Sequence, residues 1–456
     1  VAISMSKTII IIGAGLAGLS AALQAAENGC NVKLVSSLPS ERAQSVMAEG
    51  GINAALNTKD ENDSPEEHFT DTIKAACGLA DPNAVWGMTQ AAPELVHWLL
   101  KLGVKFNMSG YDDVDLRNFG GQKKKRTAFA QSDTGKQIMT AMIDAVRRKE
   151  ASGMVERFSH HSFLTLRLCG NICCGCVIRD EYSQETVELP GDAVIVATGG
   201  MHGLFGNTTG SLSNTGEVTA ELFRLGVPLA NGEMIQYHPT TVKCGGKRML
   251  ISEAARGEGG RLFAMKDGKQ WYFMEEKYPE LGNLMPRDIT AREIWKVSHE
   301  SEVFLDMTEI SEEIISNKLS GLADDCMTYL HKDIRKEPVS VLPGIHYFLG
   351  GNLVDEQHRT PIQNLYAAGE CCAQYHGANR LGGNSLLGAL YGGRVAAKSA
   401  CEQADVVDLS CATQIDFPPA SQISEIKQLN KVMQETMGVV RNENMLWLEP
   451  RARSMT

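Results

Sequence analysis

A strand–turn–helix–strand unit near the N-terminus constrains the fold of this chain more than any other feature. The β-branched run Thr8–Ile12 predicts a buried parallel strand. It leads into the turn Gly13-Ala14-Gly15-Leu16-Ala17-Gly18, a strong helical pattern that ends near Gly29, and a second strand at residues 32–35. Such glycines allow a tight turn and close approach of the backbone to a pyrophosphate, which the helix N-terminus attracts. The unit predicts a dinucleotide-binding domain.

Two later segments return to the same domain. Residues 193–200 and 365–370 each predict a buried strand followed by a glycine turn, and the second ends in the carboxylate of Glu370. Strands that return from distant parts of the sequence imply an inserted domain, which we place at about residues 232–342, where the βαβ rhythm is lost. Ser36 follows the second strand, where an acidic residue commonly holds an NAD ribose, so NAD specificity by that route is not supported.

Composition restricts the classes of partner. The formal net charge of −11 over 456 residues argues against nucleic acid, because phosphate binding needs a basic surface. The compact basic run at residues 123–126 is interpreted as a solvated loop. No apolar run approaches the ~20 residues that cross a bilayer. We therefore expect no direct membrane insertion and a cytoplasmic location, with membrane association through partner subunits left open.

The cysteines are expected to be reduced thiols. A chain of this length with twelve cysteines suits a reducing compartment better than a disulfide scaffold. The densest group lies in two alternating apolar stretches joined by a Gly-Asn turn, the pattern of a β-hairpin; it comprises Cys169, Cys173, Cys174 and Cys176. We interpret these residues as buried structural thiols and expect no metal site.

Several motifs follow one another in an order that carries a family resemblance. They are Ala-Glu-Gly-Gly-Ile-Asn-Ala-Ala-Leu at residues 48–56, Gln-Tyr-His-Pro-Thr at 236–240, Ile-Ser-Glu-Ala-Ala-Arg-Gly-Glu-Gly at 251–259, Pro-Arg-Asp at 286–288, His-Tyr at 346–347 with Gly-Gly at 350–351, and His-Gly-Ala-Asn-Arg-Leu-Gly-Gly-Asn-Ser-Leu-Leu at 376–387. In this order the chain resembles the flavoprotein subunits of fumarate reductases and succinate dehydrogenases, and their relative L-aspartate oxidase. The resemblance extends to about residue 400 and continues weakly beyond it.

The resemblance implies an α/β fold with a Rossmann-like FAD-binding domain, an inserted α+β capping domain and the start of a C-terminal helical domain. These correspond to residues 1–231 with 343–400, residues 232–342, and residues 401–456, respectively. A helical pattern at residues 423–437 fits the last of these regions. Carried over by position, the implied FAD contacts are Gly13, Ala14, Gly15, Gly18, Ser36, Ser45, Gly50, Gly51, Glu217, Glu370, Ser385 and Leu386. Glu217 stands where the family usually has Asp.

The same resemblance implies an enzyme that interconverts fumarate and succinate. A C4 dicarboxylate needs two anion clamps, and the implied substrate-binding residues are His238, Ser252, His346 and Arg380. Arginine grips a carboxylate bidentately. Arg287 is the implied proton donor, and Glu253 and Arg256, which share one helix face at spacing i, i+3, are its implied relay.

One departure from the family concerns the attachment of the cofactor. Membrane-bound members carry a histidine that binds FAD covalently, and Gln44 stands in its place here. We therefore expect noncovalent FAD. Loss of the linkage lowers the flavin potential, which favours fumarate reduction over succinate oxidation. A shift of ~30 mV in a two-electron couple is worth about 1.4 kcal/mol, so a modest shift in potential biases the direction strongly.

Two other functions are alternatives for this sequence. L-aspartate oxidase also lacks the linking histidine, but that family places a Glu before a Gly-Gly pair, where this chain has Phe119. A noncatalytic flavin subunit for electron transfer or assembly would not need the four clamps and Arg287. The sequence carries no iron–sulfur or haem motif, so a separate partner, either an iron–sulfur subunit or a diffusible donor, must supply the electrons.

Overall fold

The computed structural model describes residues 6–405 and 423–441. The described strands, in chain order, are β1 Thr8–Ile12, β2 Asn31–Ser36, β3 Ile52–Asn53, β4 Leu116–Arg117, β5 Thr127–Ala128, β6 Val155–Ser159, β7 His161–Cys169, β8 Ile172–Asp180, β9 Thr186–Pro190, β10 Ala193–Val196, β11 Leu229–Ala230, β12 Ile235–Cys244, β13 Lys247–Leu250, β14 Arg261–Lys266, β15 Lys269–Trp271, β16 Val303–Asp306, β17 Val339–Ser340, β18 Leu342–Phe348, β19 Gly351–Leu353, β20 Leu365–Ala367 and β21 Cys372–Ala373. The described helices are α1 Leu16–Glu27, α2 Pro65–Ala76, α3 Pro82–Leu102, α4 Thr134–Ala151, α5 His202–Phe205, α6 Glu217–Arg224, α7 Glu253–Gly257, α8 Phe273–Lys277, α9 Arg287–Val297, α10 Glu312–Lys318, α11 Ser320–Asp325, α12 Asn384–Gln403 and α13 Ile423–Thr436.

A five-stranded parallel sheet, in the order β20-β10-β1-β2-β6, forms the centre of the molecule. The apolar side chains of β1 are almost completely buried, as a continuous β-branched run in a sheet covered on both faces requires. Strands β10 and β20 lie next to β1 although they come from residues 193–196 and 365–367. The predicted return of both segments to the N-terminal sheet is therefore confirmed.

Helix α1 packs against β1 and α12 at distances that only small residues permit. A Cβ on Gly18 would lie 1.8 Å from the carbonyl oxygen of Gly13, and one on Gly393 would lie 2.2 Å from that of Ala17. Ser20 Oγ donates to the carbonyl of Leu390 at 2.7 Å. This contact holds the N-terminal unit against a helix from the end of the described FAD-binding region.

A second apolar core lies among the residues between the two halves of the sheet domain. Apart from Phe119, its buried members fall within residues 251–341. They cover a four-stranded sheet in the order β15-β14-β16-β17. A separate core supports the proposed α+β insertion at residues 232–342, because a domain is organised around its own buried apolar cluster.

The cysteine-rich hairpin forms as predicted, from β7 and β8. Cys173, Cys174 and Cys176 are buried free thiols, and burial raises the pKa of Cys173 to about 12. The expectation of reduced thiols is wrong at Cys169, which is disulfide-bonded.

The basic run at residues 123–126 differs from its interpretation as a solvated loop. Lys123 and Lys125 are exposed, but Arg126 has no exposed surface. Its guanidinium lies 2.8 Å from Asp63 Oδ1 and 3.0 Å from Asp71 Oδ2. Two carboxylates and the fold around them account for the burial of this charge.

The C-terminal helical prediction agrees with α13, which spans Ile423–Thr436. Tyr237 Oη donates to the carbonyl of Met437 at 2.7 Å, so the segment after α13 contacts β12. The remainder of the predicted C-terminal region, residues 406–422 and 442–456, lies outside the described residues. Among the helices that are described, none is both long and apolar enough to span a bilayer.

Candidate active site

One cleft crosses the carboxyl ends of the central parallel strands and extends toward the second apolar core. Except for Gly18 and Arg256, every site residue implied by the family resemblance lines it. Gly18 lies beneath the glycine turn, where its missing side chain allows α1 to approach Gly13. Arg256 lies behind Glu253. Ligands of open α/β sheets bind at this edge, so the topology and the implied residues agree on the location.

The end of the cleft nearest β1 fits a dinucleotide. Gly13 has φ +109°, and a Cβ there would lie 2.3 Å from the carbonyl oxygen of Ala197, so the glycine turn can pack against the end of β10 only because no side chain is present. The first turn of α1 contains no acidic residue, which leaves the positive end of the helix dipole available to phosphate. At the end of β2, Ser36 Oγ is buried without a hydrogen-bond partner. This orphaned hydroxyl and the glycine cradle fit FAD.

The remaining implied FAD contacts continue along the cleft. Ser45 Oγ accepts a hydrogen bond from the backbone N–H of Leu16 at 3.2 Å, which ties its loop to the first turn of α1. Glu370 Oε1 accepts from Phe348 N at 3.0 Å and lies 3.1 Å from His202 Nε2. Glu217, the first residue of α6, is exposed and lines the cleft; all of the implied FAD contacts stay predictions.

Arg380 places a buried positive charge at the other end of the cleft. Its side chain is 3 % exposed, its Nη1 donates to the carbonyl of Leu381 at 3.3 Å, and its Nε has no partner. The guanidinium carbon lies 4.4 Å from the centroid of the Tyr347 ring. Burial, together with the charge of nearby Arg287, lowers the pKa of Arg380 to about 9, so the group remains charged at neutral pH.

Arg287, Glu253 and Arg256 form a buried chain of charges. Arg287 Nε and Nη2 lie 2.8 and 2.6 Å from Glu253 Oε2, and Arg256 Nη2 lies 3.5 Å from Glu253 Oε1. Burial opposes the ionisation of Glu253, but the adjacent guanidiniums of Arg287 and Arg256 outweigh it and lower its pKa. The shared helix face expected for Glu253 and Arg256 is observed on α7.

Two imidazoles meet where β12 pairs with β18. The rings of His238 and His346 are 5.1 Å apart, and His238 Nε2 is buried without a partner. Burial, with the charge of Arg287, lowers the pKa of both rings well below 6.5. Neutral imidazoles can donate to a carboxylate without adding charge. Ser252 caps α7 through its Oγ, 3.4 Å from Ala254 N, at the same end of the cleft.

Sequence reasoning missed three residues of this site. Gln236 accepts from Arg287 Nη1 at 3.1 Å and donates to the carbonyl of Arg380 at 2.7 Å, so it links the two arginines. Tyr347 stacks beneath Arg380. Glu49 Oε2 is buried and unpaired, and burial raises the Glu49 pKa to about 8. Gln236, Tyr347 and Glu49 lie within motifs that were recognised, but only contacts across elements give them a role.

Gln44 and Phe119, which set the expectations about FAD attachment and L-aspartate oxidation, both lie at the cleft. Gln44 is in the short 3-10 helix Gln44–Met47 and lines the cleft. Phe119 is 1 % exposed and lines it near Gly382, where a Cβ would lie 2.6 Å from the Phe119 ring. The wall at Phe119 is therefore apolar.

Comparison with known proteins agrees with this geometry. The family model described as "FAD binding domain" matches residues 8–386. The succinate dehydrogenase flavoprotein subunit of Bacillus subtilis is 43% identical over 413 residues, which is 89% of this chain and 70% of that protein. The L-aspartate oxidase of Streptomyces coelicolor is 32% identical over 465 residues, 97% of this chain and 78% of that protein.

Among solved structures, a variant of FrdA from E. coli quinol fumarate reductase superposes with a TM-score of 0.89 at 27% identity, covering 99% of this chain and 82% of that one. The implied α/β fold and the family resemblance are confirmed. The chain belongs to the family of FAD-dependent oxidoreductases that comprises the flavoprotein subunits of succinate dehydrogenases and fumarate reductases.

Proposed function

We propose that this protein interconverts fumarate and succinate and that reduction of fumarate is its favoured direction. The observation that carries the proposal is the pair of buried guanidiniums at the cleft, Arg380 and Arg287. Among the described residues Arg380 has no carboxylate partner, while Arg287 has only Glu253. A buried charge without a partner is costly, and a dianionic ligand would offset that cost.

The clamps suit a short substrate with a carboxylate at each end. Arg380 binds one carboxylate through its planar fork; His346 contributes a neutral donor. His238, whose Nε2 is unpaired, and Ser252 receive the other carboxylate. Binding at both ends orients the central carbons and excludes water, which lowers the entropic part of the barrier.

Arg287 delivers the proton in this proposal. FAD, when bound, supplies the hydride at its flavin ring. Arg287 Nη1 and Nη2 are held by Gln236 and Glu253, so one face of the guanidinium can be aimed at the substrate carbon. A guanidinium is a very weak acid, and Glu253 with Arg256 must return its proton at once. The 2.6 Å contact between Arg287 Nη2 and Glu253 supports that route.

The cofactor is proposed to be bound noncovalently, because the amide of Gln44 cannot form the histidine linkage. Acid precipitation should therefore release all of the yellow colour into the supernatant. Flavin that remained with the pellet would contradict this proposal. The electron donor is proposed to be a separate protein with iron–sulfur centres or a diffusible reductant.

L-aspartate oxidation is the second candidate, since one relative carries that name. An ammonium group needs a free carboxylate in the cleft. Phe119 is apolar, Glu253 is bound to Arg287, and the raised pKa of Glu49, about 8, keeps it protonated at neutral pH before ligand binds. These three features favour a dicarboxylate without an amine.

Mixing the FAD-loaded protein with fumarate and a reduced viologen tests the proposal. We expect viologen oxidation that requires fumarate, a slower reverse reaction with succinate and an oxidised dye, and no peroxide formation with L-aspartate and oxygen. Faster succinate oxidation would reverse the favoured direction. Activity with L-aspartate alone would support the oxidase, and no turnover with any of these substrates would support a noncatalytic flavin subunit.

A further inference from the structure

Buried side-chain amides meet behind the turn that joins Arg380 to α12. Asn53 Nδ2 donates to the carbonyl of Gly382 at 2.8 Å, and Gln122 Nε2 donates to the same oxygen at 2.9 Å. The backbone N–H of Asn53 also donates to the carbonyl of Gly383, at 3.3 Å. Asn53 has no exposed surface, and Gln122 is 6 % exposed. A single carbonyl held by two side-chain amides defines the position of this turn closely.

Asn53 is itself held in one orientation. Its Nδ2 donates to Asn384 Oδ1 at 2.7 Å, and its Oδ1 accepts from Thr127 Oγ1 at 2.6 Å. Asn384 in turn donates to Thr72 Oγ1 at 3.1 Å. We name Asn53, Gln122, Thr127 and Asn384 the amide cage. Because the polar groups of Asn53 are all paired, rotating its side chain would leave buried groups unsatisfied.

The opposite side of the turn touches the charged chain of the cleft. A Cβ on Gly382 would lie 3.0 Å from both Arg287 Nη2 and Glu253 Oε2. Gly383 has φ +88°, and a Cβ there would lie 2.2 Å from Asn53 Oδ1. The turn therefore fills the space between the amide cage and the Arg287–Glu253 pair. If the turn shifts, Arg380 moves with it.

We infer that Asn53 and Gln122 are positioning residues that fix Arg380 for binding of the substrate carboxylate, acting through the Gly382 carbonyl. This inference rests on the proposed function. Neither side chain needs to touch the substrate. Donation to Gly382 sets the distance and angle at which the Arg380 fork meets the carboxylate, and an error of about 1 Å at such a site costs on the order of 100-fold in rate.

The test uses the FAD-loaded protein and malonate, a saturated dicarboxylate whose single central carbon can neither be reduced nor be oxidised to an alkene. Asn53→Asp keeps the shape of the side chain but replaces the donor to Gly382 with an acceptor. Gln122→Leu removes the second donor without adding charge, and decides the test if Asn53→Asp does not fold. Asn364→Asp is the matched control, because Asn364 is a buried amide that donates to the carbonyl of Asp405 at 2.8 Å, away from the cleft.

We expect the malonate dissociation constant, read from the flavin spectrum, and the fumarate KM to rise at least tenfold in Asn53→Asp and Gln122→Leu. FAD content should remain at the parental value. Asn364→Asp should lower the Tm and leave both constants unchanged. Parental constants in both test variants, with fumarate reduction intact in the parent, would overturn this inference alone. A parent that neither binds malonate nor reduces fumarate would overturn the proposed function as well.

Discussion

At the scale of single residues, Arg380 combines burial, charge and a missing protein partner. Arg380→Lys keeps the charge but loses the planar fork. We expect kcat/KM for fumarate to fall on the order of 100-fold or more, with FAD content unchanged. Steady-state kinetics of fumarate reduction measure kcat/KM, and the flavin absorbance of the same samples measures FAD content. Arg359→Lys is the matched control, because Arg359 pairs with Asp355 on the surface and should leave turnover intact. Near-parental turnover in Arg380→Lys would place the clamp elsewhere.

Arg287 and Glu253 are in contact, yet their proposed roles in proton delivery are unequal. Arg287→Ala should abolish fumarate reduction because no positioned acid remains, while malonate still shifts the flavin spectrum. Glu253→Gln should be milder, because it interrupts proton return and leaves Arg287 in place. Its residual rate should follow a different pH profile from that of the parent. Single-turnover rates across pH 6 to 9 provide the measurement, and equal loss in both variants would identify Glu253 as the acid itself.

The sequence predicts a site residue when its role follows from its own motif, and fails when the role depends on contacts between distant segments. Arg380 and His238 lie in motifs whose residue types and neighbours indicate a role in substrate binding. Gln236 also lies in such a motif, but its bonds to Arg287 and the Arg380 carbonyl join three separate segments. Asn53 acts through Gly382, more than 300 positions away. Neither contact leaves a periodic or local signal.

At the scale of elements, the packing of α1 on the glycine turn is the least tolerant contact of the nucleotide end. A Cβ on Gly18 would overlap the carbonyl of Gly13, at 1.8 Å. Gly18→Ala should displace α1, weaken FAD binding at least tenfold and lower the Tm, because backbone cannot move aside as a flexible side chain does. Gly246→Ala, where nothing lies within 4 Å, should match the parent. FAD titration and thermal unfolding measure both, and parental FAD affinity in Gly18→Ala would contradict the packing argument.

Sequence patterns predict most strands of the central parallel sheet, but not the two-residue strands beside the cleft or the burial of Arg126. The strands β1, β10 and β20 carry apolar runs typical of a sheet covered on both faces, and these three strands, together with β2, are predicted from the sequence. Two-residue strands such as β4 and β5 have no periodicity to detect, although β5 pairs with β3 beside the cleft. The local pattern around Arg126 predicts a surface charge because its partners, Asp63 and Asp71, lie more than 50 positions earlier. Charge burial depends on tertiary pairing.

At the scale of the whole molecule, an acidic protein keeps its uncompensated positive charge inside. The formal net charge is −11, whereas the chain of Arg256, Arg287 and Glu253, together with Arg380, carries three buried guanidiniums and one carboxylate. The attraction for a dianion is therefore local, in a cleft of low dielectric where it is poorly screened by salt.

Buried histidines give the fold a second charge-related property, which is sensitivity to acid. Burial is the main cause of a depressed pKa in five of them: His68 at about 3, His358 at about 4, and, well below 6.5, His238, His346 and His376. In the unfolded chain these rings take up protons near pH 6.5. Between pH 6.5 and about 4 the unfolded state thus binds more protons, and the free energy of unfolding falls as pH falls.

Each such ring costs roughly 1.4 kcal/mol for every pH unit below 6.5. Glu49 acts in the opposite direction, because its pKa of about 8 lets the folded state hold a proton that the unfolded state releases above about pH 4.5. One carboxyl cannot offset five imidazoles. We expect the unfolding free energy, from urea titrations of the FAD-loaded protein, to drop by several kcal/mol between pH 7 and pH 5.5. His68→Gln should make the dependence of the unfolding free energy on pH less steep. An unfolding free energy that stayed level or rose toward pH 5.5 would show that these rings accept protons without leaving the core.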